Sequence, residues 1–132
     1  VVDDEPDICW VLENILRPVG YAVSTTTRGV EAMELVAKES YAAAFVDAKL
    51  PDIDGLELAA LIRQRSPRTT VVLISAYFHP QNEAIIEGLQ KGLFIGFVAK
   101  PFDVEQVRLI ACQAVETAKE GGYTHDPHSA GR

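Results

Sequence analysis

Four apolar runs in this sequence each end in a residue that can carry or neutralise charge. Val1-Val2 runs into Asp3 and Asp4, residues 42–46 into Asp47, 71–74 into Ser75, and 95–99 into Lys100. If the runs are parallel strands of one open sheet, their polar ends share the edge at which such sheets gather function. With the first and third strands as neighbours, Asp3, Asp4 and Asp47 crowd together, and three carboxylates repel one another unless a cation lies among them. Oxygen donors imply a hard divalent ion. Magnesium fits, because it is typically held by one or two carboxylates plus waters and a phosphate oxygen, which leaves room for a reactant. A calcium loop is not indicated, since Asp52, Asp54 and Gly55 lack the EF-hand ligand spacing and its terminal Glu. Lys100 adds a point cation for a second anion. A carboxylate, a magnesium ion, a lysine and a hydroxyl around one crevice suit phosphoryl transfer to a carboxylate, with Asp47 as nucleophile.

The elements that must position these groups follow from the apolar period, which switches repeatedly between strand-like and helix-like. The chain has 132 residues, 48% hydrophobic and 23% charged, the size and composition of one globular domain that buries roughly two-thirds of its unfolded surface. Val1 and Val2 read as the end of a first strand that would need a few more residues upstream for ordinary length. Asp7 is placed to cap a helix in which Ile8, Val11, Leu12, Ile15, Leu16 and Val19 keep helical spacing up to Gly20. Residues 21–25 read as a second strand, 30–38 as a second helix, 42–46 as a central strand buried on both faces. A third helix over 56–65 stops at Ser66-Pro67. Then come a fourth strand at 71–74, a fourth helix at 82–91, a fifth strand at 95–99, and a last helix from Val104 to about Lys119, capped by Asp103. The domain is expected over 1–119, and the aperiodic residues 120–132 read as a polar tail or the start of a linker.

The pattern resembles the receiver domains of two-component response regulators. The resemblance covers nearly the whole chain and has four parts in order: the acidic pair in Val1-Val2-Asp3-Asp4-Glu5; Phe45-Val46-Asp47 followed by Leu50-Pro51 and Asp54-Gly55; Ser75-Ala76; and Lys100-Pro101-Phe102. It implies an α/β, doubly wound five-stranded parallel sheet in the flavodoxin-like order 2-1-3-4-5, with helices on both faces. It further implies Asp47 as phosphate acceptor and Mg2+ bound by Asp4 directly, by Asp3 through water, by Asp47 and by the backbone carbonyl of Lys49. Lys100 would neutralise the phosphoryl group, the Ser75 hydroxyl would approach it after transfer, and Phe97 matches the switch aromatic. Tyr77 and the Lys49 side chain fall where they would flank the phosphate. Two features depart from the family pattern: the longer segment between Ser75 and Lys100, and the apolar Gly92-Leu93-Phe94-Ile95-Gly96 before the fifth strand.

The implied function is a phosphorylation-dependent switch. It would take phosphate from a sensor histidine kinase or phosphotransfer protein onto Asp47 and alter the face made by the fourth helix, fifth strand and fifth helix. Any catalysis would be self-directed phosphotransfer and autodephosphorylation. Two other functions compete: a phosphate-independent receiver-like scaffold, and a magnesium-dependent phosphatase. The phosphatase is disfavoured because Lys49 stands two residues beyond Asp47, where an acid would be needed. The net charge of −7 repels nucleic acid and anionic lipid, and no run approaches the roughly 18 residues of a membrane span. Cys9 and Cys112 read as reduced thiols of a cytoplasmic protein. The output partner or effector domain would lie elsewhere, and a homodimer through the last helix is implied only by the resemblance. Other residues carry less: Asp52, Asp54 and Gly55 read as a turn and helix entry, His79 as a surface residue, His125 and His128 as solvated tail residues, and Trp10 stands off the apolar stripe of its helix.

Overall fold

The computed structural model describes residues 1–76 and 83–120. Tyr77, His79 and the tail with His125 and His128 lie outside the described residues. Among the described residues five α-helices and three ladder strands alternate: α1 (Pro6–Leu16), α2 (Gly29–Lys38), β1 (Ala43–Asp47), α3 (Gly55–Arg65), β2 (Thr70–Ser75), α4 (Glu83–Gln90), β3 (Gly96–Ala99) and α5 (Val104–Lys119). The ladders are parallel, β1 to β2 and β2 to β3. The expected first and second strands contribute one bridging residue each. Val2 bridges Val46 on one side and Thr26 on the other. Its N–H donates to the Phe45 carbonyl at 2.7 Å and its carbonyl accepts from Asp47 N–H at 2.9 Å. Two residues ahead of Asp3 are too few for a ladder, and the 21–25 segment then finds its single parallel partner one residue late, at Thr26. The spatial order is nevertheless 2-1-3-4-5 in the expected strands, with β1 in the middle.

Alternation along the strands sorts side chains onto two faces. Ala44, Val46, Val71 and Leu73 pack with Leu58, Ala59 and Ile62 of α3, Ala32 of α2, Ile85 of α4 and Phe94. Phe45, Val72, Ile74 and Val98 pack on the other side with Leu12, Ile15 and Leu16 of α1 and Val107, Ala111 and Ala114 of α5. The sheet is therefore covered on both faces. Every residue of β2 is buried, as a strand between two neighbours and two helical layers requires.

The helix starts show where local chemistry overrides simple spacing. α1 begins at Pro6, not after an Asp7 cap, because proline has no N–H to satisfy and a φ already suited to the first helical position. Glu5 is the N-cap, without a side-chain cap, and Asp7 lies in the first turn. At the far end the expected continuation to Val19 becomes a 3-10 turn, Arg17–Val19, since Pro18 cannot donate the next helical bond. Gly20, at φ 102°, closes it. Asp54 and Asp103 cap α3 and α5, Asp54 accepting from Leu56 N–H and Asp103 from Glu105 and Gln106 N–H. Trp10 projects from α1 at 65% exposure.

Candidate functional site

The carboxyl edge of the sheet gathers the residues singled out by spacing. Asp3, Asp4 and Asp47 each offer a carboxylate oxygen, and these atoms all lie within 4.8 Å of one another. Asp3 is wholly buried, Asp47 buried and Asp4 exposed. Lys100 reaches in from the end of β3, its Nζ 3.0 Å from Asp3 Oδ2, 3.5 Å from Asp47 Oδ2 and 3.9 Å from Glu5 Oε2. The Asp47 pair joins residues 53 positions apart in the chain. Asp4, Asp47, Lys49, Ser75 and Lys100 line one cleft of ≈ 490 Å³, with Ala84 and Ile85 of α4 also on its wall. Ser75 is buried at the end of β2. Phe97 on β3 is half-buried against the core that includes α3 and α4, on the α4 side of the sheet.

Local structure holds these groups in place. Asp47 Oδ1 accepts the Lys49 N–H at 3.0 Å, and Asp3 Oδ1 accepts the Glu5 N–H at 2.9 Å, so each carboxylate keeps one oxygen for the cleft. After β1 the chain turns back tightly: Lys49 and Asp54 form an antiparallel bridge, and Gly55 N–H donates to the Ala48 carbonyl at 3.1 Å. A Cβ on Gly55 would fall 2.6 Å from Ala48 Cα and closer still to the Asp47 carbonyl oxygen, so only glycine admits this return. Asp52 fastens the loop to α2, accepting from Gly29 N–H at 3.1 Å and Val30 N–H at 3.0 Å. Those amides hold its carboxyl below the usual range. The Lys100–Pro101 peptide is cis.

Electrostatics oppose ionisation of Asp47. Burial, reinforced by the neighbouring Asp3, raises Asp47 from 3.8 to about 6, against the Lys49 amide and Lys100, which pull it down. Burial is also the largest single influence on Lys100 and lowers it. Asp3, Asp47 and Glu5 together outweigh burial and hold the ammonium above its ordinary value. Asp3 Oδ2 is fully buried, and the charged group that reaches it is Lys100, as an ion pair at 3.0 Å. A compact set of hard oxygen donors with one fully buried member fits a divalent cation. Beneath the site, burial and then Asp3 raise the Cys9 thiol, whose Sγ is 3.4 Å from the Asp3 carbonyl. Two contacts are not visible in the sequence. Glu5 approaches Lys100, although its place directly after the acidic pair puts it on the same strand-end loop, and the amides that Asp52 caps lie more than twenty residues away.

This fold and edge define a class. Residues 1–111 match the model of the response regulator receiver domain, and the chain belongs to that family, the receivers of two-component signal transduction, of which phosphoaspartate and Mg2+ are features. Among individual relatives it is 32% identical over 120 residues to the DNA-binding transcriptional regulator NtrC of Escherichia coli K12, covering 91% of this chain and 25% of that protein. It is 36% identical over 115 residues to the response regulator PilR of Pseudomonas aeruginosa, covering 87% and 25%. The chain thus spans about a quarter of the length of the curated relatives it matches. The receiver domain of NtrX from Brucella abortus superposes with a TM-score of 0.78 at 30% identity, covering 88% of this chain and 96% of that one. TrrA of Thermotoga maritima, solved in complex with Mg2+–BeF, superposes with a TM-score of 0.74 at 28% identity, covering 86% and 94%. Receiver domains generally bind Mg2+ at an acidic pocket, and this chain carries such an aspartate cluster.

Proposed function

We propose that Asp47 is the phosphate acceptor of a two-component switch, and that Asp3, Asp4, Asp47 and the Lys49 backbone carbonyl hold its Mg2+. The observation that carries the reading is the meeting of Asp47 and Lys100, from the ends of two different strands, in one acidic cleft. Magnesium, when bound, neutralises the carboxylates and the phosphoryl oxygens. The donor is a phosphohistidine of a sensor histidine kinase or phosphotransfer protein. An Asp47 carboxylate oxygen forms the new bond to phosphorus, the nitrogen–phosphorus bond breaks, and the electron pair stays with the imidazole. Lys100 supplies positive charge to the transferred group and Ser75 a hydroxyl hydrogen bond.

The same groups drive the switch. Carrying a two-state equilibrium from 1:99 to 99:1 takes about 5.5 kcal/mol. Hydrogen bonds to charged groups supply about 1.5–3 kcal/mol each, so two or three new ones at the phosphoryl group suffice. Ser75 and Lys100 provide them, and Phe97 transmits the change to the face of α4, β3 and α5, where a partner or effector domain reads it. A homodimer would form through the last helix, α5. The receiver unit covers 1–119, α5 ending at Lys119, and 120–132 are read as a polar tail or the start of a linker. Among the described residues no helix is long and apolar enough to cross a membrane, and the setting proposed is the cytoplasm. The test is incubation with magnesium and a small acyl phosphate, followed by intact-mass measurement. One phosphoryl adduct on the native chain and none on Asp47→Asn is expected; equal labelling of both refutes the assignment. Unchanged partner affinity after phosphorylation would favour the phosphate-independent scaffold.

A further inference from the structure

Glu5 is an acid at the cleft to which the proposed phosphotransfer gives no work. It lies 3.9 Å from Lys100 Nζ, its side chain is 62% exposed, and it lines the same cleft as Asp47 and Ser75. Its backbone is fixed, since its N–H donates to Asp3 and its carbonyl accepts from Ile8 and Cys9 at the start of α1. Its carboxylate makes no helix cap. Lys100 is thus shared by three carboxylates, two of them within and one outside, at the rim across which a phosphoryl donor must enter.

We propose that Glu5 is a specificity residue that discriminates among phosphoryl donors by charge, disfavouring small dianionic donors relative to those carrying less negative charge. The inference rests on the reading of Asp47 as acceptor. Two anions flanking one ammonium lie on the order of 7 Å apart, and in water-like surroundings one extra unit of negative charge on the donor then changes its encounter by about threefold. The effect is electrostatic at an exposed position, so it fades with salt as the screening length falls from about 10 Å at 0.1 M to about 3 Å at 1 M.

Acetyl phosphate and phosphoramidate differ in the required way, the first dianionic at neutral pH and the second a net monoanion because its nitrogen is protonated. With acetyl phosphate the phosphorus–oxygen bond breaks, acetate leaves with the electron pair, and Asp47 gains the phosphoryl group. With phosphoramidate the phosphorus–nitrogen bond breaks and ammonia leaves. Phosphorylation of the full chain is followed by intact mass at saturating magnesium, for the native chain, Glu5→Gln and Glu5→Asp. Glu5→Gln is expected to raise kcat/KM for acetyl phosphate about threefold more than for phosphoramidate, through KM, with the difference lost at high salt. Glu5→Asp, which keeps the charge, stays near the native ratio. An equal change for both donors, or a change of ratio that survives high salt, overturns the proposal while leaving Asp47 as acceptor. Failure of the native chain to gain an Asp47-dependent adduct from either donor overturns the acceptor reading and this one with it.

Discussion

Asp47→Asn should stabilise the metal-free chain at neutral pH, although it removes the proposed phosphate acceptor. In the fold Asp47 is raised from 3.8 to about 6, first by burial and then by Asp3, against the pull of the Lys49 amide and Lys100. A displacement of that size corresponds to on the order of 3 kcal/mol between its ionised and neutral forms. The cleft is open to water, whose screening reduces the figure to about 1–2 kcal/mol. The folded chain binds the Asp47 proton more tightly than the unfolded chain, so this contribution to stability is complete below about pH 4 and is lost as pH rises through about 6. An asparagine does not titrate. Urea unfolding with a chelator should therefore show the variant ahead by about 1–2 kcal/mol at pH 7.5, by less at pH 6, and level at about pH 4. Magnesium reverses the order, because a ligand at a hundred times its Kd adds about 2.7 kcal/mol to the chain that binds it. A variant less stable than the native chain at pH 7.5, or a difference that ignores pH, would refute the electrostatic account of the site.

Three further outcomes follow from particular contacts. Lys100→Ala leaves buried Asp3 without its cation; metal-free stability should fall by about 3 kcal/mol and be largely restored by magnesium, whose affinity by calorimetry is retained while phosphorylation slows. Gly55→Ala forces a Cβ into the Asp47 and Ala48 backbone, which should cost at least about 3 kcal/mol in urea unfolding and suppress phosphorylation in the fraction that still folds. A Cβ on Gly88 would come within 2.9 Å of Phe94 Cζ and nearer to Cε1, so Gly88→Ala should lower stability by about 1–2 kcal/mol despite alanine's better helix propensity. The loss should shrink in a Phe94→Leu background when the double-mutant cycle is measured.

Much of this molecule can be read from its residues because its chemistry sits where strands end. Asp47, Ser75 and Lys100 each follow an apolar run, and a parallel sheet brings such positions to one edge whatever their separation in the chain. The cap of α5 is equally readable, since Asp103 bonds amides two and three residues on, and Asp54 at the entry to α3 bonds the amide two residues on. The start of α1 is less plain, because Pro6 and Asp7 are both favoured near a helix start; proline's missing N–H and fixed φ put Pro6 at the first helical position, with Asp7 in the first turn. The single-bridge pairing of Val2 with Thr26 depends on where the neighbouring backbone runs, which a period of two cannot show. Asp52 reads correctly as a structural residue, but its amide partners on α2 are contributed by the tertiary fold. The approach of Glu5 to Lys100 has the same origin, since it joins segments that meet only after the sheet forms.

The most direct test of the account is to locate the phosphoryl group itself. After reaction with magnesium and acetyl phosphate, borohydride reduces an acyl phosphate to an alcohol, converting the modified aspartate to homoserine, which peptide mass mapping assigns to a position. Homoserine at position 47 alone, in an amount that follows the adduct seen in the intact mass, is the predicted result. Homoserine at position 3 or 4, or an adduct that yields none, would contradict it.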